Sequence, residues 1–230
     1  MLARFFSWLK RQFENQPGVE NVKEQVVPLA TVPKSPYPTR DQVSDILNGL
    51  ILGSIPTRIG IRYSDIRETH GKNRSPAIDL IIKNQGGVLG DPYCQWGVQE
   101  VLDQLCIELK IKRSNVPIPK GGSTQMVWNA IPQKYKRRLP SALHWVTWQN
   151  KSNPGRGHVG ICLGEVLRDN SFRTFEFNTT VMIDDVVRDG EGAFFVTRRL
   201  NDTQTMRLLG FTDIYEAICD AIDAEAKTNV

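Results

Sequence analysis

A thiol, an imidazole and an acid–amide pair follow one another along this chain in an order that suits nucleophilic hydrolysis. Cys94 lies in the segment DPYCQWG, His158 follows sixty-four residues later in GHVGI, and Glu176 and Asn178 flank one phenylalanine further on. A thiolate can attack a carbonyl carbon, and an imidazole can take its proton and return it. A carboxylate or amide can hold that imidazole in one tautomer. This set of residue types is what a thiol hydrolase needs.

The segment around Cys94 predicts the start of an amphipathic helix. Asp91 is a favourable N-cap, and Pro92 suits the first helical position because its fixed φ angle is already helical. The apolar stripe that follows comprises Val98, Val101, Leu102, Leu105 and Leu109. Cys94 then falls in the first turn, where free N–H groups and the positive end of the helix dipole lower the pKa of a thiol. We therefore expect Cys94 to be reactive.

His158 is expected to begin a β-strand, 158–166, in which alternate residues point to opposite faces. His158 and Gly160 would share one face with Cys162, and the residues between them would face the core. In the next expected strand, 172–179, Glu176 and Asn178 share a face while the phenylalanines beside them point inward. Polar groups on one strand can approach a histidine on its neighbour.

The connection between these two strands decides whether the polar groups can meet. With a tight turn at Asp169-Asn170, strict hairpin register sets His158 opposite Val181, about three residues past Asn178. A longer loop or a β-bulge is needed to bring His158 next to the acid–amide pair.

The order of the elements along the chain predicts an α+β fold, with helices first and an antiparallel sheet second. The expected helices cover 40–52, 77–83 (ended by Gly86-Gly87), the stripe that follows Asp91, 124–131 and 214–226. The expected strands cover 143–149, 158–166, 172–179, 194–199 and 206–212. Between Lys112 and Arg138 the chain is expected to be rich in loops. Its basic cluster, 134–138, is interpreted as a solvated surface turn.

Residues 1–39 are expected to form a separate N-terminal segment, and residues 40–230 the main domain, which starts near 37–40. Leu2, Phe5, Phe6, Leu9 and Phe13 recur at helical spacing among basic residues. This pattern is typical of an amphipathic helix that contacts a membrane surface or a partner protein, or of a first helix that folds back on the domain. The four prolines between Val27 and Thr39 favour an extended connector.

Composition excludes several classes of protein. The chain has 230 residues and a formal net charge of +4, and its basic residues are scattered, so no nucleic-acid footprint is present. Its four cysteines have no CxxC spacing, which argues against a disulfide framework or a structural zinc site. Cys106, Cys162 and Cys219 are expected to be small buried apolar residues. No segment resembles a membrane span or a cleavable signal peptide, which favours location in a host cytoplasm or a virion.

The motifs around Cys94, His158 and Glu176, taken together, resemble the CHAP family. These are cysteine, histidine-dependent amidohydrolases and peptidases of the papain-like NlpC/P60 superfamily, and many are bacteriophage or bacterial cell-wall hydrolases. The resemblance covers about 68–211 and includes the approach segments NRSP and GDPYC. Many relatives have Trp before the cysteine and Ala after it, where this chain has Tyr93 and Gln95.

The resemblance implies a role for each residue of the set. Cys94 would be the nucleophile, His158 the general base, Glu176 the group that orients the imidazole, and Asn178 its assistant or substitute. The implied fold is papain-like, with helices packed on an antiparallel sheet and the nucleophile at a helix start. The implied substrate is a peptide or amide bond of peptidoglycan. No acidic calcium-binding cluster is evident near Cys94, so no metal or other cofactor is expected.

Two other functions fit the same sequence. The domain could be a catalytically silent papain-like module that serves a structural or binding role, for example in a virion. It could also be a cytoplasmic thiol hydrolase, such as a toxin effector.

Several residues near the set leave alternatives open. The backbone N–H of Cys94 is the expected oxyanion donor, and Gln95 or Gln85 could supply a second. His144 is a rival base that ranks below His158, and His70 in a polar loop is a weaker candidate. The tryptophans of the strand before His158, Trp145 and Trp148, are expected to pack in the core rather than form a substrate platform.

Overall fold

The chain folds as an α+β domain in a computed structural model that describes residues 37–69, 72–179, 182–183, 186–187, 191–201 and 205–228. Within these ranges it forms five α-helices and a six-stranded antiparallel sheet, as the order of elements predicted. The expected N-terminal amphipathic helix and most of the connector lie outside the described residues. No described helix has the length and apolarity required to cross a bilayer.

The helices begin and end close to the positions expected from sequence. They are α1 (Arg40–Leu52), α2 (Pro76–Gln85), α3 (Cys94–Glu108), α4 (Thr124–Ala130) and α5 (Ile214–Thr228). Ser75 caps α2 by accepting the backbone N–H of Ile78, and Gly86 ends it in the left-handed conformation with φ 81°. The predicted stop at Gly86 is therefore confirmed.

The prediction that Asp91 caps α3 is wrong. The helix begins at Cys94 with Tyr93 as its N-cap residue, and no side chain caps it. Instead, the Asp91 carboxylate accepts the backbone N–H of Val88 at 2.9 Å, which closes a turn that ends three residues before Cys94. Cys94 is the first residue of the helix, and no capping side chain takes the N–H groups of its first turn.

The sheet has the strand order β1-β8-β2-β3-β4-β7. Its strands are β1 (Lys136–Arg137), β2 (His144–Asn150), β3 (Gly157–Cys162), β4 (Ser171–Thr179), β7 (Gly192–Arg199) and β8 (Met206–Asp213). A separate pair is formed by β5 (Met182–Ile183) and β6 (Val186–Val187). The predicted strand 158–166 is too long, because β3 ends at Cys162 and a loop follows.

Apolar side chains cover both faces of the sheet. On the helix side, Val159, Ile161, Phe175 and Phe177 join the main core together with residues of the helices, as strand alternation predicted. A smaller cluster lies on the opposite face and comprises Val146, Trp148, Cys162, Phe172 and Phe211. Residues on both faces of the central strands are therefore shielded from water.

The structure differs from the sequence-based expectation at the basic cluster 134–138 and at Cys219. The basic cluster 134–138 is not a simple solvated turn, because Lys136 and Arg137 form an edge strand paired with β8. Cys106 and Cys162 are buried as expected, but Cys219 is only half-buried.

Candidate active site

Cys94 is held at the start of α3 by close packing against β4. Its side chain is almost fully buried, with 5% exposed. One turn along the helix, a Cβ on Gly97 would lie 2.2 Å from the ring of Phe177, so only glycine lets α3 approach this strand so closely. Next to the thiol, the phenol oxygen of Tyr93 accepts the backbone N–H of Asn178. These contacts fix the thiol against the end of β4.

The strands β3 and β4 pair in a register that places His158 and Glu176 side by side. Gly160 is directly opposite Glu176, and the pairing ends at Cys162 opposite Thr174. Extending this register by two residues sets His158 opposite Asn178 rather than Val181. A longer connection than the tight turn at Asp169-Asn170 accounts for the difference, as the sequence argument required.

Gly160 makes room for the carboxylate to reach the imidazole. A Cβ at this position would lie 2.6 Å from Cγ of Glu176. Without it, the side chain of Glu176 leans diagonally across the strand pair towards His158. This close approach explains why the second residue after His158 in the motif GHVGI is a glycine.

The imidazole of His158 bridges the carboxylate and the thiol. Its Nε2 donates a hydrogen bond to Oε2 of Glu176 at 2.8 Å, which leaves Nδ1 as the ring nitrogen for Cys94. Burial alone would lower the pKa of His158, but hydrogen bonds to Cys94 and Glu176 raise that pKa to about 9. Burial would raise the pKa of Cys94, whereas its hydrogen bond to His158 and the charge of that imidazole lower it below the usual value. The contacts favour a thiolate–imidazolium pair.

The Glu176 carboxylate is fully buried and surrounded by donors. Besides His158, Oε1 accepts the hydroxyl of Thr174 at 2.6 Å and Nε of Arg198 at 2.8 Å. Oε2 accepts the hydroxyl of Thr179 at 3.3 Å and Nη2 of Arg198. Burial opposes ionisation, but the bonds from Arg198 and His158 hold the pKa of Glu176 well below its usual range.

Trp148 packs against the face of the His158 imidazole ring. The two rings are stacked, with centroids 5.8 Å apart and planes 23° from parallel, because Trp148 and His158 are directly opposite in adjacent strands. Trp148 is buried in the smaller core cluster and Trp145 in the main core, in agreement with the expected packing role. Trp148 therefore combines core packing with a direct contact to the site.

Asn178 occupies a β-bulge rather than a regular strand position. The pairing of β4 with β7 shifts between Phe177 and Thr179, and Asn178 adopts φ 50°. Within the described residues, no hydrogen bond joins its side chain to His158. Its backbone N–H contacts Tyr93, so Asn178 meets the site through the main chain.

Thr124 is a neighbour of the thiol that the sequence argument missed. Its hydroxyl lies 3.9 Å from the sulfur of Cys94, at the start of α4. The next residue, Gln125, donates its side-chain amide to the carbonyl of Trp148 at 3.0 Å, which ties α4 to β2. No local motif marks Thr124, because the contact depends on how the loop before α4 folds over α3.

Polar contacts further along α3 hold the loop before α4 against this helix. Gln99 donates to the carbonyl of Pro119 at 2.7 Å, and Nζ of Lys120 lies 2.9 Å from the Asp103 carboxylate. Arg113 donates to the side-chain oxygen of Gln99 and to the carbonyl of Ile118. These contacts set the position from which Thr124 reaches the thiol.

The two candidate oxyanion donors occupy different places. The side-chain amide of Gln85 donates to Glu100 and Asp103, at the ion cluster rather than the thiol. Gln95, next to Cys94, is 1% exposed, and its Nε2 is buried without a hydrogen-bond partner among the described residues. Of the two, only Gln95 remains available as a second donor beside the Cys94 N–H.

One rival histidine, His144, is placed apart from this arrangement. His144 lies at the other end of β2 from Trp148, with Nε2 3.5 Å from Asp213 and Nδ1 accepting the backbone N–H of Ser141 at 3.1 Å. Both of its ring nitrogens therefore have protein partners. His70 lies outside the described residues.

Within the part of the chain that the structure describes, no group of three or more His, Cys, Asp or Glu side chains could hold a metal ion. Comparison of the chain with protein-family models, with curated proteins and with solved structures finds no significant match.

Proposed function

We propose that this protein is a cysteine-dependent hydrolase of peptide or amide bonds, with a papain-like arrangement of its domain. One observation carries the proposal: the thiol of Cys94 is hydrogen-bonded to an imidazole whose other nitrogen lies 2.8 Å from the Glu176 carboxylate. Nucleophile, base and orienting group in one hydrogen-bonded chain are the geometric signature of thiol and serine hydrolases.

In the proposed reaction, the Cys94 thiolate attacks the substrate carbonyl carbon and a tetrahedral oxyanion forms. Collapse of this intermediate breaks the C–N bond, and the leaving nitrogen takes the proton from Nδ1 of His158. The resulting thioester is hydrolysed by water, whose proton passes to the imidazole as the hydroxide adds. Breakdown of the second tetrahedral intermediate expels the thiolate beside the imidazolium and releases a carboxylic acid, which then loses its proton to solvent.

The start of α3 is suited to stabilise the oxyanion. No side chain caps the helix, so the backbone N–H of Cys94 is not taken by a capping group. The positive end of the helix dipole adds to its effect. We assign the second donor to Gln95, because it follows Cys94 in the chain and its buried side-chain amide has an unused N–H.

The substrate class rests on the resemblance of the motifs to the CHAP family. By that resemblance we propose that the bond lies in peptidoglycan, either an amide between sugar and stem peptide or a peptide bond within the stem. A phage-encoded endolysin or a wall hydrolase carried in the virion would both fit. The role of Glu176 is supported by its hydrogen bond to His158, whereas Asn178 is assigned no direct step.

Digestion of purified cell walls tests this proposal. The full-length protein should reduce the turbidity of a panel of purified peptidoglycan preparations, and mass spectrometry of the released fragments should identify the bond cut. Cys94→Ala should abolish the activity because no nucleophile remains. Cys219→Ala, which removes a half-buried thiol on α5, should retain it.

Equal turbidity loss with wild type and Cys94→Ala would contradict the catalytic proposal. If neither protein digests any wall, the peptidoglycan assignment is wrong, and the reactivity of the thiol must be measured without a substrate.

A further inference from the structure

Arg198 of β7 contacts both groups that orient His158. Its Nε and Nη2 donate to the two oxygens of the Glu176 carboxylate, an arrangement that fixes a carboxylate in the plane of the guanidinium. The same guanidinium lies over Trp148, with Cζ 5.3 Å from the ring centroid. Trp148 in turn stacks on the imidazole. Arg198 thus contacts both Glu176, which is hydrogen-bonded to His158, and Trp148, which stacks on its ring.

We propose that Arg198 is a positioning residue of the reaction, which fixes Glu176 and Trp148 around His158 and balances the charge of the buried carboxylate. This inference rests on the proposed function, since it assigns a role in the same site. Arg198 does not contact the thiol in the described structure, so it acts through the groups that hold the imidazole.

The charge balance follows from burial. Glu176 is fully buried, and an unpaired carboxylate in such a place is strongly disfavoured. With Arg198 present, the carboxylate and guanidinium cancel, so that the thiolate and imidazolium form a second neutral pair beside them. Among the described residues, Cys162 feels the charge of Glu176, and Tyr93 feels the charges of Cys94, Glu68 and Arg67. Burial raises the pKa values of both Cys162 and Tyr93, so both stay neutral around pH 7.

Removal of the guanidinium should therefore move the titration of the thiol in one direction. A lost positive charge favours protonated forms, so the Cys94 thiolate would form only at higher pH. If Glu176 instead takes up a proton, the imidazolium loses its anionic partner, and the thiolate again forms only at higher pH. In both cases the pH at which the Cys94 thiolate forms shifts towards alkaline pH.

The test is the rate of alkylation of Cys94 by iodoacetamide between pH 4 and pH 10, followed by mass spectrometry of the Cys94 peptide. Full-length wild type, Arg198→Ala, Arg198→Lys and Arg199→Ala are compared. Arg199 is the matched control, since it is the next residue of the same strand and its side chain is exposed. This readout needs no substrate, so it stays informative if peptidoglycan is not the substrate.

We expect Arg198→Ala to move the midpoint of thiolate formation up by about one pH unit or more, as the loss of a nearby charge does. Arg198→Lys keeps the positive charge, so its midpoint should stay close to that of wild type. Arg199→Ala should leave the midpoint unchanged. Arg198→Ala with an unchanged midpoint, whether or not less protein reacts, would reduce Arg198 to a structural role and overturn the inference. An equal shift in Arg199→Ala would overturn it as well.

Discussion

Two histidines on this sheet have similar partners and different surroundings. His158 donates to Glu176, which is paired with Arg198, while His144 lies 3.5 Å from Asp213, whose carboxylate accepts hydrogen bonds from Arg40. Both carboxylates are buried. A buried carboxylate with an arginine behind it therefore accompanies both histidines, and these partners alone do not identify the proposed base.

The second ring nitrogen separates the two cases. Nδ1 of His144 accepts the backbone N–H of Ser141, so this imidazole is fully used in holding the chain. His158 turns its second nitrogen to the thiol of Cys94 instead. The side chain of His158 is also 17% exposed against 5% for His144, so a substrate can reach it more readily.

The largest effect is expected when the two histidines are replaced in turn. His158→Ala should lower hydrolysis by about 10²- to 10⁴-fold, because general acid–base catalysis contributes that much. His144→Ala should leave the rate constant within a few-fold of wild type and reduce the free energy of unfolding by about 1–3 kcal/mol, because Asp213 loses a buried partner. Single-turnover digestion assays and urea unfolding measure the two quantities.

The reverse pattern would contradict the assignment of His158 as the base. If His144→Ala abolished turnover in protein that remained folded and His158→Ala did not, His144 would be the base and the proposed chain from Cys94 to Glu176 would be wrong.

A smaller effect is expected from a single methyl group in β3. Gly160→Ala places a Cβ 2.6 Å from Cγ of Glu176, so the carboxylate must move away from His158. We expect the hydrolysis rate to fall by about tenfold or more, because small misplacements of catalytic groups are costly. The matched control is Gly164→Ala, where an added Cβ meets nothing within 4 Å. Equal rates in the two variants would show that the position of Glu176 does not matter.

Much of the fold follows from local patterns in the sequence. Thr39, Ser75 and Gly86 mark helix ends by capping chemistry, and strand alternation correctly places Phe175 and Phe177 in the core. The predicted cap at Asp91 was wrong because its side chain had a competing backbone partner at Val88, a choice that local propensity does not resolve. Alternation likewise fails at Asn178, since a bulge breaks the period of two.

The site was predictable only in part, for a related reason. Cys94, His158 and Glu176 lie in recognisable motifs, and the structure brings them into one hydrogen-bonded chain. Arg198 and Thr124 have no motif, because they reach the site through the pairing of β4 with β7 and the folding of a loop over α3. Contacts between residues far apart in sequence need the register of the sheet, which depends on loop length.

The reactivity of Cys94 towards iodoacetamide at pH 6 to 7 tests the central claim most directly. An ordinary thiol is only a few per cent thiolate near pH 7, and burial raises the pKa values of Cys106 and Cys162. The account predicts that Cys94 is alkylated at least about tenfold faster than these two thiols and that His158→Ala removes the difference. A Cys94 that gains reactivity only as pH approaches 9, equally with and without His158, would contradict it.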